Sequence, residues 1–292
     1  MKTESFAKAI FKNYEVRFTR REKDAFLKYC QKAFKKIGYQ EDEITVQETK
    51  TSKNLIIGSP DAEILITAHY DTPGRGEPIV FANPLLGQTL GNIPFLILVV
   101  LLSRLSYVPL LLLLVILMFI IKNKHNHNDN TSGILGAFNL ASQIINNPVL
   151  KKKCAIILFD NEEKMLLGSA AYKKLRKIKY PDKKYALVFN LDCIGVGDTL
   201  LLAVTKEHAL WHQVSNFMLK EKWQVEKKRS QSVFMSDHAL FPNSVYFAMA
   251  KKSKLGYLYL PNIHTNRDTE CDIKQINRLS KSIYKYLLTN YK

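Results

Sequence analysis

The sequence predicts an α/β fold with a mixed, mainly parallel central sheet flanked by helices. Short apolar runs typical of buried strands alternate along the chain with longer amphipathic segments typical of helices. The 292 residues are enough for a buried core in one or two domains. The four cysteines lie far apart without a CxxC pair, which excludes a zinc ribbon and a thioredoxin-like site.

The individual elements follow from these patterns in chain order. Apolar residues three and four positions apart predict an amphipathic helix over 20–37, ending near Gly38. Short strands are expected around 44–49 and 54–58, followed by a buried strand at 63–68. Later in the chain, the predicted strands are 153–159, 185–191, 199–204 and 244–250, and the predicted helices are 132–146, 166–178, 207–222 and 273–289. This alternation is typical of parallel sheets.

Residues 78–121, here called the apolar segment, contain one charged residue, Arg104. Polar residues around 103–109 divide the segment into two arms, about 84–102 and 109–121, which predicts an inserted helical hairpin. A spanning helix needs about 17–25 apolar residues, so a hairpin that dips into the bilayer stays an alternative to one that spans it. Because the second arm has no polar face, the pattern favours a membrane hairpin over a buried hairpin of a soluble protein.

Imidazole and carboxylate side chains follow predicted strands or lie in loops: His69, Asp71, Asp129, Glu162, Glu163, Asp192 and His264. Ligands of open α/β sheets bind beyond the carboxyl ends of the strands, so we expect these side chains to meet. Each one alone has an ordinary explanation as a turn, helix-start or loop residue. Together they suit zinc, with enough carboxylates for two ions that share one. His125 and His127 are better explained as polar residues at a membrane exit.

Six motifs occur in a characteristic order: HYDT (69–72), DNTSG (129–133), FDNEEKMLLGSAAY (159–172), NLDCIG (190–195), SDHALF (236–241) and IHTNRDT (263–269). On these motifs the chain resembles the co-catalytic zinc aminopeptidases, a family that includes aminopeptidase Y, glutamate carboxypeptidase and the glutaminyl cyclases. The similarity covers roughly residues 55–290 and is interrupted by the apolar segment. It implies a zinc-peptidase/phosphorylase-like fold.

The resemblance implies five metal ligands for two zinc ions. Asp129 matches the carboxylate that bridges both ions in this family. His69 and Asp192 match the other protein ligands of one ion, and Glu163 and His264 match those of the second. Because these ligands lie on both sides of the apolar segment, we expect one metallopeptidase domain over 1–292 with the hairpin inserted at 78–121.

The resemblance also implies catalytic roles for two acids. Glu162 matches the general base, which would take a proton from a metal-bridged water and pass it to the leaving amine. Asp71 matches the acid that supports His69 from behind. Asp268 is either a similar support or an exposed loop acid. The SDHALF segment resembles one that borders the substrate pocket, and its consecutive Ser, Asp and His cannot form a hydrolase triad.

These observations predict a membrane-anchored, zinc-dependent aminopeptidase, a hydrolase that removes N-terminal residues from peptide substrates. A carboxypeptidase-like or glutaminyl cyclase-like activity of the same family is the first alternative. A non-enzymatic basic membrane module is a weaker alternative.

Lys and Arg number 43 against 26 Asp and Glu, a formal net charge of +17. This balance indicates an anionic partner, and we expect membrane lipid, bound by the hairpin and the basic surface, rather than nucleic acid. Lys122 and Lys124 flank the end of the apolar segment, the N-terminus has no signal-peptide core, and the thiols are isolated. These features predict a cell-membrane location with the catalytic domain facing the cytoplasm. The oligomeric state is left open.

Overall fold

The computed structural model describes residues 1–74, 121–229 and 236–291. Its helices are α1 Thr3–Asn13, α2 Arg20–Lys36, α3 Gly133–Ile144, α4 Pro148–Lys153, α5 Leu167–Lys179, α6 Ala209–Lys220 and α7 Ile273–Asn290. Its strands are β1 Ile44–Glu48, β2 Lys53–Gly58, β3 Ile64–His69, β4 Cys154–Phe159, β5 Leu187–Leu191, β6 Thr199–Val204, β7 Val225–Arg229, β8 Ser244–Lys252 and β9 Leu258–Tyr259. A π-helical turn, His127–Ser132, leads into α3.

These nine strands form a single sheet with the order β1-β2-β4-β3-β5-β8-β6-β7, and β9 pairs with β8. The neighbours β4, β3, β5 and β8 run parallel at its centre. The pairs β1–β2 and β2–β4 on one side, and β6–β8 and β8–β9 on the other, are antiparallel. The predicted mixed α/β sheet is therefore confirmed, and its parallel character is concentrated in the centre, where the site residues are attached.

Helices cover both faces of the central strands, and this explains why their sequences are mostly apolar. Along β3, Ile64 and Ile66 pack into the cluster that contains residues of α1, α2, α3 and α7. Leu65, between them, points into the opposite cluster, which contains Tyr172 of α5. Because successive strand residues alternate between the two faces, a strand buried on both faces needs apolar side chains in both sets of alternate positions.

Local sequence signals fix several helix ends. Thr19 and Glu22 form a capping box at the start of α2, with the Thr19 side chain accepting from the Glu22 amide and the Glu22 carboxylate accepting from the Thr19 amide. Helices α1 and α4 and strands β7 and β9 have no counterpart among the sequence predictions. Phe6 of α1 stacks on Phe138 of α3 with ring centroids 4.1 Å apart, so α1 is part of the core.

The chain leaves and re-enters the described body at neighbouring points around the apolar segment. Gly74 and Lys122 form an isolated antiparallel bridge, and the Asn123 amide donates to the Pro73 carbonyl at 3.2 Å. The predicted hairpin itself lies outside the described residues, apart from Ile121. Over 1–74, 121–229 and 236–291, no helix combines the length and the apolar character needed to cross a bilayer.

Candidate metal centre

The carboxyl edge of the parallel strands brings together residues from distant parts of the sequence. His69 is the last residue of β3, and Asp192 follows β5 directly. Glu163 lies in the loop between β4 and α5. Asp129 lies in the π-helical turn before α3, and His264 comes from the loop between β9 and α7. We refer to these five residues as the metal centre.

Asp129 lies between the two histidines, and each of its carboxylate oxygens faces one ring. The Nε2 atom of His69 is 3.2 Å from Asp129 Oδ1 and 3.6 Å from Asp192 Oδ1. The Nε2 atom of His264 is 2.9 Å from Asp129 Oδ2 and 3.6 Å from Glu163 Oε1. The distances therefore divide the residues into two groups that share Asp129, the same division that the sequence resemblance implies.

The spacing of these atoms suits tetrahedral zinc. Ligand atoms about 2.0–2.2 Å from a tetrahedral zinc ion lie about 3.3–3.6 Å from one another, and the four distances above fall between 2.9 and 3.6 Å. In addition, Glu163 Oε1 and Asp192 Oδ1 are buried and form no hydrogen bond with the part of the chain that the structure describes. Buried carboxylate oxygens without a hydrogen-bond donor are costly, and two zinc ions would provide the missing partners.

The metal centre concentrates negative charge in a buried place. Burial lowers the pKa of His69, but the charge of Glu162 and the contacts with Asp129, Asp192 and Asp71 outweigh it and raise this pKa well above its usual value. Burial raises the pKa of Glu163 well above its usual value, and the Asp129 charge adds to this rise while the His264 ring opposes it. Divalent cations would relieve this repulsion among the carboxylates.

Asp71 connects the two strand ends that carry the site. Its Oδ1 accepts from the Glu162 amide at 3.0 Å and its Oδ2 accepts from the Glu163 amide at 3.2 Å. Its Oδ1 is also 3.5 Å from His69 Nδ1, and its main-chain oxygen is 3.2 Å from the same nitrogen. Asp71 therefore holds the backbone of both glutamates in addition to the imidazole that the sequence predicts as its partner.

Asp268 supports the turn that presents Asp129. Its two carboxylate oxygens accept from the amides of Asn128 at 2.8 Å and Asp129 at 2.9 Å. The residue is 1% exposed, so the alternative of an exposed loop acid is wrong. Burial raises the pKa of Asp268 to about 8, although the two amides lower it.

Two side chains of the DNTSG motif tie this turn to the chain after β5. Asn130 donates to the Leu191 carbonyl at 3.0 Å and accepts from the Gly133 and Cys193 amides at 2.9 and 3.2 Å. The Ser132 hydroxyl accepts from the Ile194 amide at 2.9 Å. These bonds fix the position of Asp129 relative to Asp192, a role that residue chemistry and spacing alone do not reveal.

The SDHALF segment lies against the metal centre, and the structure shows why it is not a triad. The Ser236 hydroxyl donates to Asp192 Oδ2 at 2.9 Å and accepts from Asn190 at 2.8 Å. Burial raises the pKa of the neighbouring Asp237 to about 7 and lowers that of His238 to about 4. Ser236 therefore orients a carboxylate of the metal centre and is not paired with His238.

Arg17 is a further residue that the sequence patterns do not single out. It is fully buried, and its Nε donates to the Tyr70 carbonyl while its Nη1 donates to the Tyr14 carbonyl at 2.8 Å. The Arg17 amide donates to the Thr72 hydroxyl at 3.1 Å. Arg17 thus ties the N-terminal chain to the HYDT motif at the end of β3.

His125 and His127 do not join the metal centre. The His125 Nδ1 and His127 Nε2 atoms lie 2.6 and 2.8 Å from Glu15 Oε1, in a separate cluster. The explanation of the two histidines as polar residues at a membrane exit stays a prediction, and it does not account for this shared contact.

Comparisons with known proteins identify a sequence family and several similar folds. The sequence profile described as peptidase family M28 matches residues 46–286, whereas the search of curated proteins gives no match. The LapA aminopeptidase of Legionella pneumophila has a similar structure, with a TM-score of 0.65, 16% identity, and coverage of 99% of this chain and 68% of that chain.

Two structures from Bacteroides thetaiotaomicron are similar as well. One is described as a leucine aminopeptidase precursor, with a TM-score of 0.66, 15% identity, and coverage of 100% of this chain and 98% of that one. The other is a glutaminyl cyclase bound to N-acetylhistamine, with a TM-score of 0.66, 14% identity and the same coverage. At these identities the similarity demonstrates a common fold and does not distinguish between the two activities.

Proposed function

Because the chain belongs to peptidase family M28, whose profile spans residues 46–286, we propose that it is a zinc-dependent aminopeptidase. The arrangement around Asp129 is the observation that carries this proposal, since one carboxylate faces two imidazoles that each have a further carboxylate beside them. Such a set of nitrogen and oxygen donors can hold two ions with a shared ligand.

The four distances around Asp129 support the assignment of the zinc ligands. His69 and Asp192 would hold one zinc ion, His264 and Glu163 would hold the other, and Asp129 would contact both. When bound, such ions lower the pKa of water toward neutrality and polarise the substrate carbonyl. The chain itself keeps the ligands in place through Asp71, Asp268 and Ser236, and it excludes water by burying the strand ends.

Glu162 is the residue that we assign to proton transfer. Its amide is held by Asp71, next to the amide of the ligand Glu163. Burial raises the pKa of Glu162 well above its usual value, and the carboxylates of Glu163 and Asp237 add to this rise while His69 opposes it. A carboxylate with a raised pKa accepts a proton from the attacking water more readily and then donates it to the leaving amine.

The preference for N-terminal residues rests on the charge of the site. In the aminopeptidases that the sequence resembles, the free α-amine of the substrate also meets the metal site. Here the carboxyl groups of Asp192 and Asp237 are close enough to Glu162 to raise its pKa, and such a concentration of negative charge would attract an ammonium group. A peptide without a free amine would lose this interaction, so we expect blocked peptides to be poor substrates.

The test compares wild type and Glu162→Gln on aminoacyl-4-nitroanilides, peptide amides and N-blocked peptides, with the zinc content of each protein measured. We expect release of the N-terminal residue by the wild type, little release from blocked peptides, and a large loss in the variant. If the wild type cleaves blocked peptides at their carboxyl end, the carboxypeptidase-like alternative replaces the proposal. If a zinc-loaded wild type releases no N-terminal residue, the aminopeptidase proposal is rejected.

A glutaminyl cyclase-like activity is the second candidate, and the structural similarity to the Bacteroides thetaiotaomicron glutaminyl cyclase favours testing it. Peptides with N-terminal glutamine separate the two activities, because a cyclase releases ammonia and retains the residue. An aminopeptidase releases free glutamine instead. Mass spectrometry of the product distinguishes these outcomes in one assay.

We further propose that the apolar segment anchors this enzyme to the cell membrane with the catalytic domain on the cytoplasmic side. The support is its sequence, with Arg104 as the one charge between 78 and 121, and the bridge between Gly74 and Lys122, which joins the described chain before it to the chain after it. The formal charge of +17 would add attraction to anionic lipid.

Replacing residues 84–121 by a short Gly/Ser bridge tests the anchor. The described chain before the segment is joined to the chain after it by the bridge between Gly74 and Lys122. The truncated protein is therefore expected to keep its catalytic body and to move from the membrane pellet to the supernatant. Retention of the truncated protein in the pellet would reject the anchor. Protease access in sealed vesicles of known orientation tests the cytoplasmic side.

A further inference from the structure

A second group of metal-binding side chains lies outside the metal centre, between the loop that joins α1 to α2 and the chain that follows the apolar segment. It consists of Glu15, His125 and His127, which we call the His/Glu cluster. Each residue offers one ligand atom, and the three atoms lie within 4.8 Å of one another. His125 Nδ1 and His127 Nε2 both contact the same oxygen, Glu15 Oε1, at 2.6 and 2.8 Å.

The donor set is that of a transition-metal site. Two imidazole nitrogens and one carboxylate oxygen are typical ligands of zinc when a fourth position is left for water. Burial raises the pKa of Glu15, but its hydrogen bonds and ion-pair contacts with the two histidines together outweigh burial and lower this pKa. The Glu15 carboxylate therefore lies next to two imidazole nitrogens, and this arrangement of donor atoms can hold a divalent cation.

The cluster is accessible enough to admit an ion and adjust to it. Around tetrahedral zinc, neighbouring ligand atoms lie about 3.3–3.6 Å apart, so the two short contacts must open by somewhat less than 1 Å. The His125 side chain is 41% exposed, whereas those of His127 and Glu15 are 19% and 21% exposed. The outer ring can move, and the inner pair supplies a fixed base.

Neighbouring contacts hold the inner ligands in place. Phe11 of α1 stacks on the His127 ring with centroids 4.2 Å apart. The Asn126 side chain donates to the Glu15 carbonyl at 3.3 Å, and the Asn123 side chain donates to the His125 carbonyl at 2.7 Å. Such outer contacts orient ligands before an ion arrives.

We propose that the His/Glu cluster is a third divalent-cation site, selective for zinc-like ions and separate from the metal centre. An ion bound there would link the N-terminal chain to the segment that returns from residue 121. It would also brace the turn that carries Asp129, because the His127 amide donates to the Asp268 carbonyl at 3.1 Å and Asp268 holds the Asp129 amide. We assign the site a role in stabilising the fold, because none of its three residues belongs to the metal centre.

The test counts zinc ions per chain after equilibrium dialysis of the full-length protein against micromolar zinc. Glu15→Gln keeps the shape of the side chain but weakens the ligand, and His125→Asn removes the most exposed ring, so neither is expected to unfold the chain. The matched control is His212→Asn, because His212 pairs with Glu207 at 2.8 Å on the surface, and among the described residues no third metal-ligating side chain completes a group with them.

We expect each cluster variant to bind one zinc ion fewer per chain than the wild type, and His212→Asn to bind as many as the wild type. Equal zinc content in the wild type and both cluster variants overturns the proposal. Turnover of the same samples identifies the ion that is lost, because a chain that lacks an ion of the metal centre would lose most of its activity. An ion lost together with most of the turnover therefore overturns the proposal. Loss of the same ion in His212→Asn would also overturn it, since the binding would then be unspecific.

Discussion

Replacing Gly133 by alanine tests how closely the turn carrying Asp129 must approach the end of β5. A Cβ atom at this position would lie 2.2 Å from the Leu191 carbonyl oxygen and 2.4 Å from Asn130 Oδ1. Ordinary carbon–oxygen contacts are about 3.3–3.6 Å. The start of α3 must therefore recede by about 1 Å from the strand that precedes Asp192.

The consequences follow from the geometry of the metal centre. Such overpacking costs about 1–3 kcal/mol of stability, and a misplacement of about 1 Å lowers turnover by about 10²-fold. Gly136→Ala is the matched control one turn along the same helix, because its Cβ would meet Ile194 Cδ1, the mobile end of a side chain, at 2.6 Å. We expect Gly136→Ala to retain most of the activity.

The assay measures kcat/KM on an aminoacyl-4-nitroanilide and zinc affinity by competition with a chelator. Gly133→Ala should lower both, whereas Gly136→Ala should stay close to the wild type. If Gly133→Ala binds zinc and turns over substrate like the wild type, the turn does not set the distance between Asp129 and Asp192, and our reasoning is refuted.

Three further predictions follow from buried polar contacts. Ser236→Ala removes the hydroxyl that donates to Asp192 at 2.9 Å and should lower zinc affinity by about 10–100-fold; unchanged affinity in chelator competition would contradict this. Lys23→Met leaves the Asp160 carboxylate, 2.7 Å from Lys23 Nζ, buried without its cation and should cost about 3–5 kcal/mol in urea unfolding; a cost below about 1 kcal/mol would show that the pair is not desolvated. Burial lowers the pKa of the His238 imidazole to about 4, whereas this pKa is about 6.5 in the unfolded chain. As the pH falls from about 6.5 to about 4, the unfolded state therefore binds a proton that the folded state does not. The free energy of unfolding decreases by about 3 kcal/mol over this range. Urea unfolding of chelator-treated His238→Gln should lack this loss, and identical pH slopes would argue against it.

The sequence predicts the central strands and the site residues because both rest on strong local signals. Runs such as 63–68 and 185–191 are mostly apolar, as two-sided burial favours, and both become strands of the parallel centre. His69, Glu163 and Asp192 come at or after the ends of these central strands, which places them at one edge of the sheet. Asp129 and His264 reach the same edge from a turn and a loop.

Other features depend on contacts between distant segments and have no local signal. Helix α1 is held by the stacking of Phe6 on Phe138, 132 positions away; its own apolar residues span only 11 residues, too short a pattern to show where the helix packs. Arg17 is buried because it satisfies carbonyls of Tyr14 and Tyr70, whereas an isolated arginine in the sequence is normally exposed. The burial of Asp268 likewise depends on distant groups, the amides of Asn128 and Asp129 that donate to its carboxylate.

The most direct test of the account is a paired measurement of zinc content and turnover in the wild type and Glu162→Gln. Glu162 is not among the proposed ligands, so the variant should bind as much zinc as the wild type. Loss of the general base should lower kcat by about 10²–10⁴-fold. Equal turnover in the two proteins, or a wild type that binds no metal, would contradict the assignment of Glu162 and of the metal centre.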